Sequence, residues 1–243
     1  IYRFVINLLF SNELWFTAGS AFSNGAFWSL SYEFWYYVIF SCWFFFSNSK
    51  RFAFTLIAMI IAGPKILLLL PIWLMGLFTY KISQSLTLSN IQGCILALCP
   101  ILIYIIIRET GLQKFLLTLT IDTLGKDFTH NQLRLSRWFI SDYIVGLLVS
   151  MHLIGIIALS TSFQFTPILE KTIRYLAGMT FTIYLFHYPL LQFLGIHIDN
   201  GVILVTSVFL LLTLIAPLTE GKRQQWDNII KNIFRLVKKI SVK

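Results

Sequence analysis

Long apolar runs separated by short polar breaks make up most of this chain. The runs fall at residues 1–10, 27–46, 52–62, 66–80, 91–107, 139–160, 173–197 and 202–218. A membrane-crossing helix needs about 20 predominantly apolar residues. The stretches 27–46, 91–107, 139–160, 173–197 and 202–218 meet or approach that length and predict spans. Residues 1–10 predict the end of an earlier membrane helix. A polar connection follows over 11–26, carrying Asn12, Glu13, Ser20, Ser23, Asn24 and Gly25. Asn24 or Gly25 is placed to cap the helix that comes next. The runs 52–62 and 66–80 are short and are divided by Gly63-Pro64-Lys65. They predict either two short spans or a broken re-entrant hairpin.

The intervening segments differ in character. Residues 109–138 mix Lys114, Asp122, Lys126, Asp127, His130, Arg134 and Arg137 with Leu and Phe. That segment is too charged to cross and too apolar to be disordered. It predicts a surface helix or lid, or else a plain solvated connection. Thr161 to Thr172 predicts a loop, and Asp199-Asn200-Gly201 a tight turn. In the final stretch, Trp226, Ile230, Ile233, Val237 and Ile240 share one helical face while Lys231, Arg235, Lys238 and Lys239 fall mainly elsewhere. This predicts a basic amphipathic helix lying on an anionic leaflet.

Composition agrees with a polytopic membrane domain. Hydrophobic residues make up 57%, charged residues 12%, and the net charge is +9, with a mean hydropathy of +0.78. The charge sits in short loops and the tail, as the positive-inside rule distributes it, so it does not point to nucleic acid. Cys42, Cys94 and Cys99 all lie in apolar segments. They have neither a disulfide framework nor metal-ligand spacing, and no metal site is expected. The fold class is therefore an all-α polytopic helix bundle of about seven transmembrane helices. With the tail cytoplasmic, seven crossings place Lys50, Arg51, Lys81, Lys171 and Arg174 inside. The Asp199 turn and the 109–138 segment then lie outside. This consistency favours two short crossings at 52–80. The expected division is a membrane domain over 1–221 and a basic tail over 222–243.

Candidate chemistry centres on Phe27 to Phe46. Its one formal charge is Glu33, and a charge near the centre of a membrane helix costs roughly 2.5–3.5 kcal/mol. Helical spacing groups Ser29, Glu33, Tyr36, Tyr37 and Phe40 on one side. Glu33 either pairs with a cation on another helix or faces a cavity. His152, amid Met151, Leu153 and Ile154, is expected as a neutral, hydrogen-bonded packing residue. Tyr184 and His187 share a face with Thr180 one turn earlier. Pro189 frees the carbonyl of Leu185 and predicts a kink. Glu33 and His187 lie at about 9 Å and 15 Å from the same outer end of their helices. His187 serves either a cavity or a structural bond to a carbonyl or Glu33.

Two segments carry a family resemblance. Trp28-Ser29-Leu30-Ser31-Tyr32-Glu33, followed by Phe34-Trp35-Tyr36-Tyr37, resembles the W-S-L-S-x-E-x-x-(F/Y)-Y signature of the integral-membrane acyltransferase-3 family. Gly178 to Gln192, GMTFTIYLFHYPLLQ, resembles that family's G-x-x-S-(Y/F)-x-x-Y-L-x-H-x-P segment, with Thr180 where Ser is commoner. Pro71-Ile72-Trp73-Leu74-Met75-Gly76 is similar to its P-x-F-L-x-G pattern. The resemblance implies O-acylation, usually O-acetylation, of cell-surface glycans in a bacterial inner membrane. It implies acetyl-CoA or another acyl-CoA as donor substrate, with no bound cofactor. A glycan or lipid-linked sugar would be the acceptor, and membrane lipid the surroundings.

The resemblance supports Trp28, Ser29, Glu33, Tyr184 and His187 as motif residues. Glu33 and His187 are the candidate catalytic residues, expected to line or shape the acceptor and thioester cavity. Trp28, Ser29, Tyr36, Tyr37, Thr180 and Tyr184 are the candidate substrate-binding residues. The family's usual catalytic histidine and its R-x-x-R donor motif belong to an early part of a ten-helix domain. On that expectation the base lies upstream of Ile1, and this chain is an N-terminally truncated domain. The alternatives are a transporter of glycan or lipid intermediates, or an inactive truncated acyltransferase. No inverted repeat is evident between the halves, which weighs against transport.

Overall fold

The computed structural model describes residues 1–19, 24–160 and 166–222, together with 225, 228 and 231. Ten α-helices and no strand occur among these residues. The chain divides into two compact units. One comprises Ile1–Ala21 and Trp28–Gln164, the other Phe22–Phe27 and Phe165–Lys243.

In the first unit, α1 (Tyr2–Leu8) is a short helix, and α2 (Trp28–Phe45) is the signature helix. α2 and α3 (Asn48–Ala62) run antiparallel, as the Trp43–Phe52 ring contact at 5.4 Å shows near their shared turn. At the other end Tyr32 and Tyr36 pack with Ala58, Ala62 and Ile66 in a buried cluster. α4 (Pro64–Ser85) follows after the single residue Gly63. Gly63 has φ +81°, and a Cβ there would stand 2.7 Å from the Cα of Trp15. Only glycine satisfies both demands. Trp15 seals the break, with its N–H donating to Ala62 O at 3.2 Å and its indole N–H to Ile60 O at 2.8 Å. Pro64 opens α4 at a position where the missing N–H is harmless. α4 then turns back along α2, with Trp73 against the rings of Tyr36, Tyr37 and Phe40.

Further along, α5 (Asn90–Glu109) begins in a capping box between Ser89 and Gln92, which satisfies two orphan backbone donors. The 109–138 segment resolves into α6 (Leu112–Leu124), a π-helical stretch over Phe128–Leu133 and a 3-10 turn over Arg134–Trp138. α7 (Phe139–Ser160) completes the unit. α5 and α7 approach so closely that a Cβ on Gly155 would lie 2.4 Å from Ala97 N and 2.8 Å from Gly93 O. Small residues at the crossing allow this, the usual device for helix contact in lipid. His152 bridges the same pair, its Nδ1 2.7 Å from Ala97 O. It is the hydrogen-bonded packing residue expected from its surroundings.

The second unit holds α8 (Pro167–Gly178), α9 (Thr180–Gly195) and α10 (Gly201–Thr219). One helix over 173–197 was expected after a loop ending at Thr172. Instead two helices meet at Met179. Thr166 caps the first, accepting from Leu169 N–H, and Pro167 starts it. Asn200 caps α10, its Oδ1 accepting from the backbone of Val202 and Ile203 at 3.0 and 3.2 Å.

Among the described residues four helical stretches are long and apolar enough to cross a membrane: Pro64–Ser85, Asn90–Glu109, Phe128–Ser160 and Gly201–Thr219. Many of their apolar side chains point outward, among them Ile91, Leu98, Leu102 and Ile106 on α5 and Leu210, Leu214 and Leu218 on α10. Outward apolar faces of this extent belong in lipid, and the chain is an all-α membrane protein. The expected count of about seven is not reached by length and hydropathy. α2 is diluted by Trp, Tyr, Ser and Glu, α3 has 15 residues and α9 has 16. The amphipathic tail expected over 224–243 lies outside the described residues apart from 225, 228 and 231.

Candidate functional site

The sequence grouped Ser29, Glu33, Tyr36, Tyr37 and Phe40 on one side of α2. The structure divides them. The buried stripe of α2 is Ser31, Tyr32, Tyr36 and Ile39. Glu33 and Tyr37 are exposed, and Tyr37 lays its ring edge-on to Trp73 at 5.8 Å. Two phenols go inside because each finds a partner there. Tyr32 Oη lies 2.8 Å from Ser136 Oγ, and Tyr36 Oη donates to Ile66 O at 3.0 Å. A carboxylate in that stripe would need a cation. Glu33 makes no ion pair among the described residues. Trp28 packs edge-on against Tyr32 at 5.1 Å, and Ser29 is half-buried in the first turn.

The ion pair contemplated for Glu33 is made by Glu13 instead. Lys65 Nζ donates to Glu13 Oε2 at 2.6 Å and to Thr17 O at 2.6 Å. The Lys65 side chain is 0% exposed and that of Glu13 4%. Arg134 Nη1 stands 3.8 Å from the other carboxylate oxygen. Ser136 Oγ donates to Lys65 O at 3.1 Å and so joins this pair to Tyr32. The network ties the 11–19 segment, α2, α4 and the turn before α7 into one body. Sequence reasoning passed over both charges because each sits beside a polar break.

In the second unit the GMTFTIYLFHYPLLQ segment is built around a helix flaw. Pro189 lies inside α9, so Leu185 O lacks its helical donor. Asn24 supplies one, its Nδ2 donating to Leu185 O at 3.0 Å. Tyr184 Oη donates to Ala26 O at 2.6 Å. Tyr188 covers Gly25, where a Cβ would sit 3.4 Å from its ring. Asn24 also accepts from Ala26 N–H at 3.2 Å and caps the 3-10 turn Gly25–Phe27. The second motif thus holds the four residues that lead into the first.

His187 is half-buried. Its Nδ1 lies 2.9 Å from both Ile183 O and Tyr184 O. Carbonyl oxygens only accept, so Nδ1 carries a proton, and it is the neutral form of the ring that would have its lone pair on Nε2. Of the two roles open to His187, the backbone bond is made, through Nδ1. Thr180 returns its hydroxyl to Ala177 O at 2.8 Å. Glu220 anchors the start of α9, its Oε1 accepting from Thr182 N at 2.6 Å and Thr182 Oγ1 at 2.8 Å. A carboxylate at a helix N-terminus is a favourable cap.

Among the described residues no three His, Cys, Asp or Glu side chains converge as metal ligands. Comparison of the chain with protein-family models, curated proteins and solved structures finds no match.

Proposed function

We propose that this chain belongs to a membrane-embedded O-acyltransferase. It would move an acyl group, acetyl in the first instance, from acyl-CoA to a hydroxyl of a cell-surface polysaccharide or lipid-linked glycan. The observation that supports the reading lies in the second unit, where the second signature segment holds the residues that precede the first in the chain. Tyr184, Leu185 and Tyr188 of the second hold Asn24–Phe27, which runs directly into Trp28 of the first. In this reading the hydroxyl oxygen attacks the thioester carbon, the carbon–sulfur bond breaks, and the hydroxyl proton passes to a base. Glu33 and His187 are the working polar groups, His187 through Nε2. Trp28, Ser29, Tyr36, Tyr37, Thr180 and Tyr184 contribute to substrate binding. In the same reading α2, α3 and α9 also cross, giving about seven spans in a bacterial inner membrane, with the tail cytoplasmic.

The test uses the protein as its native cell makes it. Gene deletion should remove the acetyl mass increment from the surface glycan. Glu33→Gln and His187→Ala, at normal expression, should each reduce it at least tenfold, the scale of a lost acid–base or positioning group. Full acetylation in both variants would sink the site assignment. Loss of glycan export with acetylation intact would replace the enzyme by a transporter.

A further inference from the structure

The first unit contains a cavity of about 490 Å³ between α2, α3 and α4. Its size is within the roughly 300–1,000 Å³ usual for small-molecule sites. We propose that it holds an anionic glycerophospholipid of the surrounding bilayer, with its phosphate at the α2–α3 turn and an acyl chain running inward. The proposal goes beyond acyl transfer and does not depend on it.

Chemistry changes along the cavity in the order such a lipid requires. At the mouth, Lys81 lines the wall beside Trp43, Phe44 and Phe78. Arg51 places its guanidinium 5.4 Å from the centre of the Trp43 ring and is held by its Nε bond to Phe46 O at 3.0 Å. Two cations and a tryptophan at one end of a membrane cavity suit an anionic headgroup. Thr55 follows Arg51 by four residues, about 6 Å deeper along α3. Thr55 lines the cavity with Met59, and its Oγ1 is buried and has no partner among the described residues. This is unlike Thr79 and Thr206, which return their protons to Met75 O and Val202 O at 2.7 and 2.8 Å. A glycerolipid carries its ester carbonyls just below the phosphate, and with χ1 turned toward the cavity the hydroxyl would donate to an ester oxygen. Beyond Thr55 the walls include Ile39, Phe40, Met59, Leu70 and Leu74. Apolar walls of this kind suit hydrocarbon.

A neutral apolar ligand would leave the Lys81 ammonium and the Thr55 hydroxyl without a ligand partner. A zwitterionic lipid would present its own cation to theirs. Charge and the buried hydroxyl together select the anionic diacyl lipid.

The experiment is native mass spectrometry of the full chain in detergent, titrated with diacyl phosphatidylglycerol, its ether-linked analogue, or phosphatidylcholine. Wild type should retain phosphatidylglycerol in preference to phosphatidylcholine. Lys81→Gln and Arg51→Gln should each weaken that retention about fivefold, and together about 25-fold. Thr55→Val should weaken the diacyl lipid and leave the ether-linked one unchanged. Leu74→Trp, which fills the cavity, should abolish retention of both. Equal retention of phosphatidylglycerol and phosphatidylcholine by wild type would overturn the proposal. So would a Lys81→Gln/Arg51→Gln variant that binds like wild type. Lys81 is exposed and Arg51 lies at the rim, so that variant tests the idea even where Leu74→Trp fails to fold.

Discussion

Replacing Lys65 by Met leaves the Glu13 carboxylate, 4% exposed, without the ammonium 2.6 Å away. Breaking a buried ion pair from one side destabilises by about 3–5 kcal/mol. Lys65→Met should fall at the lower end, because Arg134 remains 3.8 Å from Glu13. Glu13→Leu should fall at the upper end. It strands an ammonium that is 0% exposed, with only the neutral Thr17 carbonyl left to receive it. The double variant removes both charges and leaves Thr17 O as the group that has lost its donor, at about 1–3 kcal/mol. The two single losses sum to roughly 8 kcal/mol, so the pair should show a coupling of several kcal/mol. Reversible unfolding of the detergent-solubilised chain by added SDS, followed by tryptophan fluorescence, measures all three. Additive losses, or a Lys65→Met protein that unfolds with wild type, would refute the argument that this pair anchors the 11–19 segment.

Asn24→Ala should cost about 1–3 kcal/mol by leaving Leu185 O unpaired, and Pro189→Ala should rescue most of that by restoring the helical donor; a double-mutant cycle in the same unfolding assay checks the coupling. Gly155→Leu should separate α5 from α7 and cost at least about 3 kcal/mol, since the obstructing atoms are the backbone of Gly93, Leu96 and Ala97. Gly76→Ala, with nothing within 4 Å of the added Cβ, should instead stabilise by up to about 1 kcal/mol. His152→Ala should lower stability by about 1 kcal/mol through its bond to Ala97 O and leave glycan acetylation unchanged, as mass spectrometry of the glycan would show.

What could be read from the sequence was local. The apolar runs gave α5, α7 and α10 to within a few residues, because length and hydropathy suffice for a helix in lipid, whereas α4 continues to Ser85, past the short run 66–80 that left two readings open. The Asn200 cap and the unpaired carbonyl below Pro189 also follow from short-range rules. The α8–α9 division had a signal in Thr166-Pro167, a cap followed by a helix-starting proline, but the continuous apolar character of 173–197 concealed the break at Met179.

The internal face of α2 was of another kind. That helix is apolar or aromatic nearly all round, so hydrophobicity alone does not choose a side. The choice falls to hydroxyl partners far along the chain: Ser136, 104 residues from Tyr32, and Ile66, 30 residues from Tyr36. Glu33 was singled out because it is the charge inside an apolar run. The buried pair is Glu13 with Lys65, 52 residues apart and each next to a polar break. In a membrane protein a charge beside a break can be drawn inward once folding brings an opposite charge to it, and the break gives the backbone freedom to do so. Among the described residues no cation is drawn to Glu33, the charge most visible in the sequence. That is why Glu33 is a candidate for chemistry, while Glu13 and Lys65 hold the fold.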